Sequence, residues 1–230
     1  TAQADLLFAI NASQDEFPRF VFAPGSVLGT FNTVKKAFWL SEKYQVPSIV
    51  LMDQFLADSA MTESGEFKIG HEHEAFFHEE TKVHGAPPYL RYKLTDGGVS
   101  PRRIPCRTDA LVRATGNEHN QEGLSTEDPE ERTAMVDKRL RKLSMMKTEM
   151  KLPSVSPEES SFFLTGWGST RGCIMEAVLA LRREGIDAGW IVFEDIWPLD
   201  SGRLKAMLQD KKLIMVEGNA TCQLGTLIRQ

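Results

Sequence analysis

Three stretches of this sequence hold residue types that could carry chemistry. The first is FFLTGWGSTRG, residues 162–172, an apolar run ending in glycines that the helical pattern CIMEAVLALRREG overlaps and continues. A glycine-rich turn between a strand and a helix can bring backbone amides to a phosphate. Here the last glycine, Gly172, falls four residues after Gly168 rather than three, and no Gly-Lys-Ser/Thr is present. The turn therefore misses both the dinucleotide fingerprint and the P-loop. Trp167 would crowd a pyrophosphate, and Glu194 and Asp195 flank a tryptophan loop rather than a clear ribose position. These residue types favour a tight strand–helix turn capped by Ser169 or Thr170.

The second stretch is PSIVLMDQ, residues 47–54, which ends on Asp53 and Gln54. It reads as a strand buried on both faces in a parallel sheet, with Ile49 to Met52 in the interior. Ligands of such sheets bind outside the carboxyl ends of the strands. Asp53 and Gln54 are therefore candidates to lie beside a substrate or cofactor. The competing reading has Asp53 capping the next turn. The third stretch is GHEHEAFFHEETKVHG, with His71, His73, His78 and His84 among four glutamates. Its spacing matches no compact zinc pattern and H-E-x-x-H is absent. A solvated loop without zinc is expected.

Regular elements must position these residues. FVFAP (20–24) reads as a strand, and Val27, Phe31, Val34 and Phe38 recur at helical steps that predict one buried face. With PSIVLMDQ this makes a βαβ unit. Residues 60–152 lose that regularity until EDPEERTAMVDKRLRKLSMM. There Asp128, Pro129 and Glu131 form a helix start with a capping box. Val136, Leu140, Leu143 and Met150 are expected on the packed stripe, with Lys138, Arg139, Arg141, Lys142 and Lys147 in solvent. KLPSVSPEESS (151–161) reads as a linker and the domain boundary. Beyond it come a strand at 162–166, a helix carrying Ile174, Ala177, Val178 and Leu181 on one face and ended by Gly185, and a strand at 188–195. Trp197-Pro198-Leu199 then form a loop, a short helix starts at Ser201, and KLIMVEGN is a further strand before a last helix capped by Asn219. This order predicts a small parallel sheet flanked by helices.

Bulk properties narrow the function. The chain has 230 residues and a net charge of −5, which gives a nucleic-acid partner no general electrostatic support. No apolar run is long enough to span a membrane and no signal peptide is evident, so neither a nucleic-acid nor a membrane partner is expected. Cys106, Cys173 and Cys222 lie far apart, without metal or cluster spacing, which suits a reducing cytoplasm. The sequence opens without Met and closes within a helical pattern, and it reads as a segment of a longer chain.

Several stretches occur in an order that is specific as a set: EFPRFVFAPGS, AFWLSEKYQVPSIVLMDQFLADS, YLRYKLTDGGVSPRRIP, TGNEHNQEG, MVDKRLRKL, GWGSTRG and VEGNATCQL. Together they resemble the alpha subunit of 2-oxoacid:ferredoxin oxidoreductases, especially the archaeal type, over nearly the whole chain. The resemblance implies an α/β fold. Residues 1–90 would be the C-terminal part of a pyrimidine-type thiamine diphosphate-binding domain, residues 91–160 a connecting excursion with the basic helix and linker, and residues 161–230 a transketolase C-terminal-like parallel-sheet domain, incomplete at its end.

The resemblance further implies CoA-dependent oxidative decarboxylation of a 2-oxoacid, of the 2-oxoglutarate or pyruvate class, on thiamine diphosphate. Electrons would pass to ferredoxin. Thiamine diphosphate with Mg²⁺ and a [4Fe–4S] cluster would sit mainly on the beta subunit, the partner of this chain, with none held by this segment alone. The catalytic residues would lie upstream of Thr1, so none is assigned here and no metal ligand is expected. Gln3, nearest in sequence to that region, joins Asp53 and Gln54 as a residue expected beside cofactor or substrate. Cys106 and Cys222 stand where the family usually has glycine. Cys222 is expected in the first turn of the last helix, where a thiol's pKa can fall, but it is read as structural. Two other readings are a related thiamine enzyme that does not use ferredoxin and a non-catalytic interaction segment.

Overall fold

A computed structural model describes residues 3–62, 89–106 and 110–230. The histidines at 71, 73, 78 and 84 lie outside the described residues. Helix α1 (Leu6–Asn11) leads to strand β1 (Phe20–Phe22), helix α2 (Val27–Tyr44), strand β2 (Ser48–Val50) and the short helix α3 (Gln54–Ala57). An irregular excursion precedes helix α4 (Pro129–Glu149) and strand β3 (Ser154–Ser156). Then follow β4 (Phe162–Trp167), α5 (Thr170–Arg183), β5 (Ala188–Phe193), β6 (Asp195–Trp197), α6 (Ser201–Leu208), β7 (Leu213–Met215) and α7 (Gln223–Arg229). Among the described residues no helix is long and apolar enough to cross a membrane.

The strands form two sheets, in the orders β2-β1-β6 and β3-β5-β4-β7. The βαβ unit is as expected, with Phe20, Val21 and Phe22 pairing in parallel with Ser48, Ile49 and Val50. β4 pairs in parallel with both β5 and β7. Each sheet also takes one antiparallel strand, β6 against β1 and β3 against β5. Both antiparallel strands correct the sequence reading. Residues 154–156 of the supposed linker pair with β5, and the run 188–195 breaks at Glu194 so that Asp195–Trp197 crosses to the first sheet. The two sheets thus share one continuous stretch of chain.

Strand β1 alternates its side chains between two cores. Val21 and Ala23 pack with Trp167, Phe193, Ile196 and Leu224, while Phe20 and Phe22 pack with Leu40, Tyr44 and Met146 on the other side. This is the period-2 pattern of a strand covered on both faces. β2 differs. It is a sheet edge, only half-buried, and Met52 beyond it is 43% exposed.

Helix α2 also corrects the sequence reading. Ser26 caps it by accepting from Gly29 N–H at 3.1 Å. Its buried residues are Ala37, Leu40 and Tyr44, while Val34 is 38% and Phe38 73% exposed. The ridge toward the sheet is Ala37, Leu40 and Tyr44, and the stripe of Val34 and Phe38 turns outward. In α5, Ile174 and Val178 are buried but Ala177 is exposed.

Helix α4 begins as expected. Asp128 accepts from Glu130 and Glu131 N–H at 2.8 and 3.0 Å. The reciprocal bond of a capping box is replaced, because Asp128 N–H donates to Thr126 Oγ1 instead. The buried face of α4 is Met135, Lys138, Lys142 and Met146, with Val136, Leu140 and Leu143 only half-buried. Two lysines expected in solvent are therefore inside.

The two cysteines at family glycine positions share one feature. Cys106 has φ +64 and Cys222 φ +50, the left-handed region that glycine enters without a Cβ penalty. Cys222 precedes α7 rather than lying in its first turn. Cys222→Gly is expected to raise stability by about 0.5–1 kcal/mol, since relief of the left-handed strain outweighs the extra freedom of the unfolded chain. A lower midpoint of urea unfolding in the variant would contradict this.

Candidate functional site: a polar node at the strand ends

The expected residues Gln3 and Asp53 come together. Asp53 sits just past β2, and its Oδ1 accepts from Leu56 N–H at 3.0 Å, capping α3. Its Oδ2 accepts from Gln3 Nε2 at 3.3 Å and from the Ser169 hydroxyl. Gln3 is buried, and its amide also donates to Ser169 Oγ at 3.2 Å and to the Trp167 carbonyl at 3.3 Å. Its Oε1 accepts from Gly218 N–H at 3.4 Å. One carboxylate and one amide thereby join the end of β2, the β4–α5 turn and the loop after β7. Gln54 is exposed at the start of α3 and does not line the space beside the node.

The glycine-rich turn is shaped for this contact. Gly168 has φ +60, and a Cβ there would meet Gln3 Nε2 at 2.9 Å. At Gly166 a Cβ would meet the Val216 carbonyl at 2.5 Å, so the close approach of the end of β4 to the chain just past β7 requires glycine. Ser169 occupies the N-cap position of α5 without a capping bond, its hydroxyl being turned to Asp53. Thr170 closes the turn on itself, donating to the Trp167 carbonyl at 2.7 Å. Trp167 crowds nothing outside, since it is buried in the core.

The Trp167 indole N–H donates to Glu217 at 3.0 Å. Glu217 also accepts from Asn219 Nδ2 at 2.8 Å and from Leu224 and Gly225 N–H at 3.0 and 3.1 Å. Burial alone would raise its pKa, but these donors together hold it below the usual carboxylate range. Asn219 does take part in starting α7, accepting from Gln223 N–H at 3.2 Å, and its amide donates to the Gln3 carbonyl at 3.1 Å. Burial and the neighbouring Glu217 carboxylate raise the Cys222 thiol, opposite to the direction expected at a helix start.

The space beside the node is about 20 Å³, lined by Gln3, Asp5, Asp53, Trp167, Gly168 and Ser169 among others. That is room for a water molecule, not for a cofactor. The lining holds two carboxylates and no cation, so it does not fit a diphosphate. Among the described residues no group of three His, Cys, Asp or Glu could hold a metal. Glu194 and Asp195 are also engaged within the chain. Glu194 accepts from Gly25 N–H at 3.1 Å, and Asp195 accepts from Lys36 Nζ and from Lys151 N–H at 2.7 Å. A larger groove of about 410 Å³ lies between α1, residues 13–19, α4 and α7. The buried Arg19 on its wall donates to the carbonyls of Ala9 and Ala12 at the end of α1. What the node can do chemically is hold strand ends in fixed relation. Ser169 and Glu217 are the members that the sequence reading missed. The sequence offers Ser169 or Thr170 as the cap of the turn, which accounts for the hydroxyl locally, and a lone glutamate after an apolar strand carries no signal.

Residues 1–138 match the family described as "Pyruvate flavodoxin/ferredoxin oxidoreductase, thiamine diP-bdg". The chain is 33% identical to the 2-oxoacid:ferredoxin oxidoreductase subunit alpha of Saccharolobus solfataricus, over all of this chain and 37% of that protein. It is 34% identical to subunit alpha of 2-oxoacid:ferredoxin oxidoreductase 2 of Aeropyrum pernix, over all of this chain and 36% of that protein. The chain thus spans a little over a third of the length of these relatives. Its fold matches the 2-oxoglutarate:ferredoxin oxidoreductase of Magnetococcus marinus, solved with 2-oxoglutarate, coenzyme A and succinyl-CoA bound, with TM-score 0.78 and 28% identity over 99% of this chain and 40% of that one. With the ordered sequence motifs, the βαβ unit and the second parallel-rich sheet in agreement, the chain belongs to the thiamine diphosphate-binding family of pyruvate flavodoxin/ferredoxin oxidoreductases.

Proposed function

We propose that this chain is part of the alpha subunit of a 2-oxoacid:ferredoxin oxidoreductase that oxidatively decarboxylates a 2-oxoacid of the 2-oxoglutarate or pyruvate class to its acyl-CoA. The observation that carries the reading is the similarity to such alpha subunits from one end of the chain to the other, at 33% identity. Thiamine diphosphate supplies the electron sink for decarboxylation when bound. The resemblance to that family, rather than any feature of this chain, supports placing the diphosphate, its Mg²⁺ and the [4Fe–4S] cluster mainly on the beta subunit. CoA is the co-substrate, ferredoxin accepts the electrons, and the enzyme works in the cytoplasm.

The part of this chain is positional. Residues 1–90 belong to the thiamine domain, residues 91–160 form the excursion, helix α4 and the connection, and residues 161–230 form a transketolase C-terminal-like unit. Gln3, Asp53 and Gln54 border the cofactor or substrate side. Gln3 and Asp53 do so from a rigid node, which is how a strand end holds a pocket wall in register. The test is a ferredoxin-reduction assay on the intact enzyme with its companion polypeptide, using 2-oxoglutarate and pyruvate. Reduction that requires the 2-oxoacid, CoA and thiamine diphosphate together is expected. An enzyme that binds thiamine diphosphate yet reduces ferredoxin with neither 2-oxoacid would overturn the proposal.

A further inference from the structure

Helix α4 buries two lysines on the face that carries the excursion. Lys138 is 5% and Lys142 7% exposed. Each ammonium meets one neutral acceptor, Lys138 Nζ the Tyr92 carbonyl at 3.0 Å and Lys142 Nζ the Gln45 carbonyl at 3.3 Å. Gln45 is the C-cap of α2, so Lys142 sits at the negative end of that helix. Lys138 also lies 5.7 Å from the Tyr92 ring centre. Among the described residues neither lysine has an ion pair in reach.

The seat is closed by the chain around residues 89–100. Arg91 Nη1 donates to Gln45 Oε1 at 3.0 Å, and Gln45 Nε2 donates to the Ser100 carbonyl at 2.6 Å. Gly98, at φ +76, presses so close that a Cβ would meet the Lys138 carbonyl at 2.3 Å. The charged groups facing the seat are largely cationic. Arg91 comes from the excursion and Arg139 and Arg141 from α4 itself. Glu118 is committed to Arg139 by bonds of 3.0 and 2.7 Å, and Glu149 to Lys43 and Tyr44. His119 packs on Tyr92, its ring centre 3.8 Å away. A buried amine with one neutral partner and cationic neighbours is most stable uncharged.

We propose that Lys138 and Lys142 form a pH-dependent clasp, in which protonation of the buried amines loosens the 89–100 chain from α4. Burial first, then the neighbouring cations, bring Lys138 down to about 7 and Lys142 to about 8. An exposed lysine titrates near 10.4. The opened chain therefore binds more protons than the closed one between roughly pH 7 and pH 10, and closure strengthens as pH rises through that window. From pH 6 to pH 8 the opening equilibrium falls about tenfold through Lys138 and about twofold through Lys142 by this linkage.

The test is hydrogen exchange on the intact enzyme at pH 6 and pH 8, corrected for intrinsic rates and read on peptides covering 89–100. The amides of Tyr92 and Leu94 are hydrogen-bonded to Gln121 and that of Gly98 to the Thr95 carbonyl, and all three are expected to exchange when the segment lifts and unfolds locally. Protection about tenfold or more higher at pH 8 is expected. Lys138→Met should give high protection that changes only about twofold between the two values. Lys138→Arg, which keeps a charge at both, should give low protection that is equally flat. Wild-type protection that does not change with pH overturns the proposal. So does an undiminished pH dependence in either variant, which would place the titration on a group other than Lys138. Should Lys138→Met fail to assemble, the wild-type profile and Lys138→Arg decide the matter by the same criteria.

Discussion

Asp53→Asn in the intact enzyme is expected to lower 2-oxoacid-dependent ferredoxin reduction about tenfold or more, the low end of a lost charge-assisted contact. Asparagine caps a helix as well as aspartate, so the bond to Leu56 N–H survives. The loss falls on the other oxygen. Oδ2 accepts from both Gln3 Nε2 and the Ser169 hydroxyl, and an amide nitrogen there turns acceptor into donor. Ser169 can rotate to accept, but Gln3 Nε2 then faces a second donor and keeps only the Ser169 Oγ and Trp167 carbonyl oxygens. Gln3 and the end of β2 lose their shared reference point, and the wall they form shifts. The cost to folding should be about 1–2 kcal/mol, the scale of one such bond. This exceeds what a strand-end carboxylate read from sequence alone would suggest, because Asp53 has three partners. Ser169→Ala removes one donor and leaves the carboxylate charge, so its turnover should fall less. The decisive comparison is turnover per folded enzyme, with kcat separated from KM. If Asp53→Asn turns over like the wild type, or loses activity only in proportion to unfolded protein, Asp53 is a helix cap and joint alone.

The legible parts of this fold were those specified by neighbours in sequence. The Asp128-Pro129 start of α4, the Ser201 helix, the βαβ unit and the parallel β4 depend on residues a few positions apart. The missed parts depend on distant partners. Nothing local says that Asp195–Trp197 leaves the run 188–195 to pair with β1, or that Ser154–Ser156 of a Pro/Ser stretch pairs with β5. The phase of α2 is not legible locally, because hydrophobicity favours Phe38 for the buried face, whereas Ala37, Leu40 and Tyr44 are the residues inside. Lys138 and Lys142 went to solvent by type, since a sequence does not show the carbonyls that wait for them. At the node, the strand-end rule found Asp53 and nearness in sequence suggested Gln3. Ser169 was hidden because the helix-cap reading accounted for its hydroxyl locally. Glu217 was hidden because its donors come from Trp167, Asn219 and α7.

Glu217→Gln should be the most destabilising conservative change in the second sheet, by about 2–3 kcal/mol, as expected for a charged acceptor serving several donors. The carboxylate binds the Trp167 indole, the Asn219 amide and the Leu224 and Gly225 amides in the first turn of α7. Glutamine offers one acceptor oxygen and brings an amide into a cage of donors. The damage should reach the node, because Asn219 holds the Gln3 carbonyl and Gly218 pairs with Gln3 through both backbone and side chain. The sign of the pH dependence separates this account from a packing defect. Glu217 has a folded pKa below its unfolded value, so its contribution is fully present above about 4.3, the ordinary glutamate value, and is lost as pH falls through the lower folded value. Urea unfolding of wild type and variant at pH 7 and pH 3.5 should show a gap that narrows on acidification, as the wild-type carboxyl takes up its proton and comes to resemble the amide. An equal gap at both pH values would mean that the variant disturbs shape alone and that the charge of Glu217 does not hold α7 against β4.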